Sequence, residues 1–173
     1  MRNAHIEDAP TIAGINIASW RSTYRGLIAG ATLDTMKPEN YLEKWNTILS
    51  TLEEKENFCF VAENDEGSIV GYAFCGKNQH GKFHFEAELF AIYLLKEYQG
   101  KGIGKKLFIK SIKESKRRSF TSMLLFVLSS NTGSRKFYES FIPDFTSEEI
   151  ITIDNAQYCD ICYGWSNIDN IPL

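Results

Sequence analysis

The stretch Glu88-Leu89-Phe90-Ala91-Ile92-Tyr93-Leu94-Leu95-Lys96-Glu97-Tyr98-Gln99-Gly100-Lys101-Gly102-Ile103-Gly104-Lys105-Lys106-Leu107 changes character along its length. Leu89 to Leu95 is wholly apolar, as expected of a central strand covered on both faces. From Gly102 the pattern becomes an amphipathic helix, with Ile103, Leu107, Phe108 and Ile112 on one face and Lys105, Lys106, Lys110, Lys113, Lys116 and Arg117 outside. A strand ending in a glycine turn that opens a helix aims free backbone N–H groups, and the positive end of the helix dipole, at one point. That point suits a phosphate. Gly100 is expected to supply a backbone angle closed to other residues, Gly102 close approach of a ligand, and Gly104 tight packing of helix on strand. The two better-known phosphate loops do not fit: no third glycine falls in register for G-x-G-x-x-G, and Gln99 and Lys106 occupy positions a P-loop would need.

Working outward, Phe83 to Leu95 reads as one long strand, preceded by the hairpin Phe58–Ala62 and Ile69–Phe74 around the turn Asn64-Asp65-Glu66-Gly67. The first third is helical: Asp8 and Pro10 open a helix near Ala9 to Tyr24, and Leu33 to Glu54 forms a second one interrupted by Pro38. Beyond the lysine-rich helix come a buried strand at Met123–Val127, a helix from Thr132 to Phe141, and strands at Glu149–Ile153 and Gln157–Trp165. No repeat, linker or low-complexity tract divides the chain, so residues 1–173 are expected to form one α/β domain.

With 43% hydrophobic and 24% charged residues, the 173-residue chain has the composition of an ordinary globular protein. A net charge of −3 and a pI near 5.7 argue against nucleic acid as a partner. No apolar stretch has the length needed to span a bilayer, and the first residues lack a signal-like apolar region. A cytoplasmic location without membrane attachment is the expectation. Cys59, Cys75, Cys159 and Cys162 fall in strand-like runs, where reduced thiols are the default. Cys159-Asp160-Ile161-Cys162 has C-x-x-C spacing, but one such pair is half of a closed zinc site, and no metal is expected. His5, His80 and His84 have no evident acid or nucleophile beside them and are read as surface or turn residues.

The run from Glu88 to Leu107 resembles the central motif of the GNAT superfamily of N-acetyltransferases, whose signature is Gln/Arg-x-x-Gly-x-Gly/Ala. Asn131-Thr132-Gly133-Ser134-Arg135-Lys136-Phe137-Tyr138 is similar to the family's later helix. Trp20-Arg21-Ser22-Thr23-Tyr24-Arg25-Gly26-Leu27-Ile28 looks like an N-terminal pattern of one bacterial branch. A departure lies at Phe141-Ile142-Pro143-Asp144-Phe145, where the family has a short turn ending Gly-Phe.

The resemblance implies a mixed sheet whose two central parallel strands, Phe83–Leu95 and Met123–Val127, splay apart to admit the pantetheine arm of acetyl-CoA. It places Ile92, Tyr93, Leu94 and Asn131 along the arm and Gln99, Gly100, Lys101, Gly102, Ile103, Gly104 and Lys105 around the pyrophosphate. The Leu94 N–H would polarise the thioester carbonyl. Glu88, or Glu86 two residues away, is implied as the base that deprotonates the amine, and Tyr138 as the cofactor-contacting acid that protonates the departing thiolate. Trp20 and Tyr24, one helical turn apart, are candidates for the acceptor pocket. The implied activity is acetyl transfer to a primary amine of a small molecule, by a monomer or homodimer. A protein terminus or lysine as acceptor, and a non-catalytic CoA-binding module, are the alternatives.

Overall fold

A computed structural model describes residues 1–79 and 81–173; His80 lies outside the described residues. A seven-stranded mixed sheet runs in the order β1-β2-β3-β4-β5-β7-β6. Its strands are β1 (Arg2–Asn3), β2 (Asn57–Glu63), β3 (Ile69–Lys77), β4 (Ala87–Leu94), β5 (Met123–Leu128), β6 (Phe145–Ile153) and β7 (Ala156–Trp165). Helices α1 (Ala9–Thr23), α2 (Gly30–Asp34) and α3 (Pro38–Ser50) lie on one face, and α4 (Ile103–Arg117) and α5 (Thr132–Glu139) on the other.

Apolar sets on both faces bury the sheet. Leu107, Phe108 and Ile112 of α4 pack with Ala73, Leu89, Leu125 and Tyr163, while Ile12, Ile15 and Trp45 pack with Cys59, Val61 and Tyr72. Alternation along each strand supplies the two faces. Pro38 occupies the first turn of α3, where its missing N–H is harmless. It therefore starts a helix, and the expected broken helix is two helices that end at Ser50, with turns to Glu56.

The expected strand from Phe83 begins only at Ala87. Asn78 Nδ2 donates to the carbonyls of Phe83 (3.1 Å) and Phe85 (2.8 Å), so a side chain takes the groups a ladder would use. The Phe83 and Phe85 rings instead pack on Phe145, at 5.4 and 5.3 Å between centroids. β6 starts at Phe145, four residues before the expected Glu149.

The missing glycine after α5 has a structural counterpart. Ile142 takes a left-handed φ of +52° and is 71% exposed. A β-branched residue is strained there, while its exposed side chain contributes little. Ile142→Gly is expected to raise stability by roughly 1 kcal/mol, the relieved strain exceeding the added unfolded-state entropy. A urea midpoint equal to or below wild type at unchanged m would remove that reading.

β4 and β5 are parallel, but only Ala87↔Met123, Glu88↔Leu124 and Leu89↔Leu125 pair. β4 then continues beside β3 to Leu94, and β5 beside β7 to Leu128. The separation starts at a bulge: Cys75 faces Leu89 and Phe74 faces Ala91, leaving Phe90 as an extra residue whose ring stacks on Phe74 at 4.7 Å. A bulge bends its strand, and here it turns β4 away from β5.

Candidate active site

The opening between β4 and β5 is a cavity of about 580 Å3. Its walls come from the splayed part of β4 (Ile92, Tyr93, Leu94), the glycine turn, α5 and the end of α1. Leu95 N–H donates to Val70 O at 3.0 Å. Antiparallel alternation then points the N–H of Leu94, and of Ile92 two residues back, away from β3 and into the opening. The Leu94 carbonyl accepts from Ser19 Oγ (3.1 Å) and Gln99 Nε2 (3.2 Å), which tie α1 and the glycine turn to this strand.

Gly100 and Gly102 have φ of +71° and +80°. Gly102 immediately precedes α4, whose first N–H groups face the turn without helical partners. A Cβ on either glycine would meet nothing within 4 Å, so both are required for backbone shape, not for lack of room. Gly104 corrects the expectation of tight packing: a Cβ there would sit 3.6 Å from Leu94 Cδ1, an ordinary contact. Its bare backbone lines the cavity instead.

Of the residues expected at the donor site, Ile92, Tyr93, Leu94, Gln99, Gly100, Gly102, Gly104, Lys105, Asn131 and Tyr138 line this one cavity. Lys101 and Ile103 do not: the Lys101 ammonium lies over the Tyr98 ring at 5.1 Å, and Ile103 packs toward the core. Asn131 lines the cavity while its Oδ1 caps α5, accepting from Ser134 N at 3.1 Å. Thr23, Gly133, Ser134 and Phe137 complete the wall and were not anticipated.

Three tyrosines meet where the cavity reaches the sheet. Tyr93 accepts from Trp20 Nε1 at 3.0 Å, and Trp20 packs on Tyr24 with ring centroids 4.9 Å apart. Tyr24 lines the cavity, whereas Trp20 stands behind it and holds Tyr93. Burial pushes the Tyr138 hydroxyl well above its ordinary pKa, with a further push from Tyr24. It is fully protonated at neutral pH. Tyr24 is raised by burial too, and the charge of Asp160 adds to the shift.

Glu88 is 6% exposed and sits where β4 and β5 are still paired, at the closed end of the splay and outside the cavity wall. Glu86 is exposed and accepts from both Thr121 N (2.6 Å) and Thr121 Oγ1 (2.9 Å), which lowers its pKa. It fastens the start of β4. Cys159 and Cys162 lie three apart on a strand, hence on opposite faces, and do not converge on one ion.

A strand, a positive-φ glycine turn and a helix N-terminus thus surround an opening between splayed parallel strands. The acetyltransferase (GNAT) family model matches residues 18–141. The chain belongs to the GNAT family. It is 29% identical to an uncharacterised N-acetyltransferase of Bacillus subtilis, over 97% of this chain and 93% of that protein. It is 27% identical to a spermidine N(1)-acetyltransferase of Thermoplasma acidophilum, over 80% and 83% of the respective chains. In fold it is similar to the PaiA N-acetyltransferase of Thermoplasma acidophilum solved with coenzyme A, with a TM-score of 0.71 at 22% identity over 92% of this chain and 95% of that one.

Membership in the GNAT family makes the chain an acyltransferase with acetyl-CoA as donor. Acetyl-CoA supplies an acyl group activated as a thioester, and the GNAT site fits it. The glycine turn offers N–H groups and a helix dipole to a pyrophosphate, and the β4 edge offers the Ile92 and Leu94 N–H groups to an extended arm. Among the described residues no helix is long and apolar enough to cross a membrane.

Proposed function

We propose that the acceptor is a primary amine of a small molecule. The observation that carries this reading is the way the sheet face opposite α4 and α5 is closed on two sides. On one side α2 approaches β7 and the β6–β7 turn: Ala29 N donates to Tyr158 Oη at 3.0 Å and Thr32 Oγ1 to Asp154 Oδ2 at 2.5 Å. On the other, Phe83, Phe85 and Lys82 fold onto Phe126, Phe145 and Glu149. Between these flaps a compact acceptor fits better than an extended chain. The likeness to a spermidine acetyltransferase supports the same reading.

The proton inventory assigns the chemistry. An alkyl amine with a pKa near ~10.4 arrives charged and must lose a proton before its lone pair attacks the thioester carbonyl, and the leaving thiolate must gain one. Leu94 N–H, which points away from β3, donates to the carbonyl oxygen as charge builds on it. Tyr138 gives its hydroxyl proton to the sulfur. Glu88, buried on the strand that leads to the site, takes the amine proton by relay.

Glu88→Gln is expected to lower kcat about 10- to 100-fold while acetyl-CoA binding stays near wild type, because the amide keeps the size but accepts no proton. The loss should shrink as pH rises toward the amine's own pKa. The measurement is thiol release from acetyl-CoA against a panel of amines and of peptides with free termini or lysines. A wild-type pH–rate profile in the variant would make Glu88 structural, and turnover of peptides alone would replace the acceptor class.

A further inference from the structure

Asp160 takes no part in the proposed chemistry, yet its charge is felt at Tyr24, which lines the cavity. Strand pairing fixes its face. It is opposite Leu128 on β5 and Glu149 on β6, and Leu128 packs with Ile17, Ile28, Leu33 and Met36 of the α1–α3 region. Asp160 is therefore on the α1 and α2 side of the sheet, the side away from the glycine turn's helix. Its charge acts on Tyr24, which lines the donor cavity. It also lies between the two flaps, since its neighbour Tyr158 touches α2 and its cross-strand partner Glu149 holds Lys82.

The carboxylate is incompletely satisfied by the protein. Asp160 Oδ1 is buried and has no hydrogen-bond partner among the described residues. Burial raises its pKa to about 6, so at neutral pH it is mostly charged at a cost to the fold. Like charges directly opposite on neighbouring strands are unfavourable. Glu149 meets that problem through Lys82, with Nζ at 2.6 and 2.7 Å from its two oxygens. Among the described residues no cation is paired with Asp160. The other groups on this patch are the Cys162 thiol, raised by burial and by Glu149 and Glu88, and the Tyr24 and Tyr158 hydroxyls. Among the described residues the one cation next to this patch is Lys82, which both Glu149 oxygens hold.

We infer that Asp160 is the anchor for the acceptor's ammonium group as it enters: the contact completes the carboxylate's hydrogen bonding between the two flaps and leads the nitrogen toward the thioester beside Tyr24, where it gives up its proton through the Glu88 relay before its lone pair attacks. The acceptor is then a cationic amine, selected over uncharged amines of similar size. This rests on the amine-acceptor reading. Asp160 acts on binding, and Glu88 and Tyr138 on the chemical step, so the two sets separate in KM and kcat.

The test uses the full chain with spermidine as a cationic probe and aniline, largely uncharged at neutral pH, as its counterpart. Asp160→Asn is expected to raise KM for spermidine about 10- to 100-fold, the worth of a charged hydrogen bond. KM for acetyl-CoA and the aniline kinetics should stay near wild type, and Asp160→Glu should recover part of the spermidine affinity. Spermidine affinity for the CoA-loaded protein, measured by calorimetry, gives a readout independent of turnover. Spermidine binding that Asp160→Asn abolishes, without acetylation by the wild type, would retain the anchor and refute the amine-acceptor reading. Equal losses for spermidine and aniline, or unchanged spermidine affinity in Asp160→Asn with wild-type CoA-induced stabilisation, would overturn the anchor. So would wild-type protein that binds no spermidine.

Discussion

Gly102→Val is expected to abolish the rise in melting temperature that acetyl-CoA gives the wild-type protein. Gly102 sits at φ +80° immediately before α4, a conformation that costs a β-branched residue of order 1–3 kcal/mol. Valine escapes that cost by rotating the backbone, which turns the first N–H groups of α4 away from the point where they converge. If valine keeps the conformation, its side chain projects into open space, nothing of the protein lying within 4 Å of the Cβ position, at a residue that lines the cavity where the pyrophosphate is expected. Either outcome removes the cradle. A loss of 100-fold in affinity, about 2.7 kcal/mol, reduces the ligand-induced stabilisation by the same amount at saturating ligand. Gly102→Asn separates the two routes: asparagine tolerates the left-handed backbone, so it relieves strain while still crowding the phosphate. Thermal shifts with and without acetyl-CoA measure both variants. A full wild-type shift in Gly102→Val would move the pyrophosphate elsewhere.

The strand–turn–helix around this glycine was legible because local residues dictate all of it. The apolar run sets a buried strand, two positive-φ glycines set the turn, and the lysine-faced amphipathic run sets α4. Distant contacts set what was not legible. Phe83 to Glu86 has a strand's composition, but the Asn78 amide takes its carbonyls and Phe145, some sixty residues later in the chain, takes its rings. β1 is only Arg2–Asn3 and exists by pairing with β2 and through Arg2's ion pairs to Asp8 and Glu63. Ile142 occupies a glycine conformation that no propensity would assign to it.

Asp160 illustrates a different failure. The sequence around it draws attention to Cys159 and Cys162 as a metal pair, and strand alternation sends those two to opposite faces. The same alternation places Asp160 with Cys162 and Gly164, facing the α1 side. A lone carboxylate on an otherwise apolar strand was the available signal. Its meaning depended on knowing that α2 and the β3–β4 connection leave this part of the face between them.

Tyr138→Phe is expected to lower kcat about 100-fold while leaving both the fold and acetyl-CoA binding close to wild type. The ring is held by Phe108 and Phe137, at 5.9 and 5.0 Å between centroids, and phenylalanine keeps those contacts. Only the hydroxyl is lost. Tyr138 is 9% exposed in the cavity wall, and burial keeps its hydroxyl protonated through the neutral range. A raised pKa makes Tyr138 a weak acid toward water, but in the proposed step a nascent thiolate in the same cavity would also be deprived of solvation and would take the proton in exchange for its charge. Without the hydroxyl, sulfur must leave as a bare anion or wait for solvent, and the barrier rises by about 2.7 kcal/mol for a 100-fold loss. The amine side should be unaffected, so KM for the acceptor stays constant and the pH dependence assigned to Glu88 persists in the variant. Tyr24 acts on this group electrostatically, and Tyr138 in turn acts on Tyr93, so a substitution that keeps the ring disturbs the tyrosine cluster least. Wild-type thiol release from Tyr138→Phe, with unchanged acetyl-CoA stabilisation, would mean that the leaving group finds its proton elsewhere and that Tyr138 serves to pack α5 on α4.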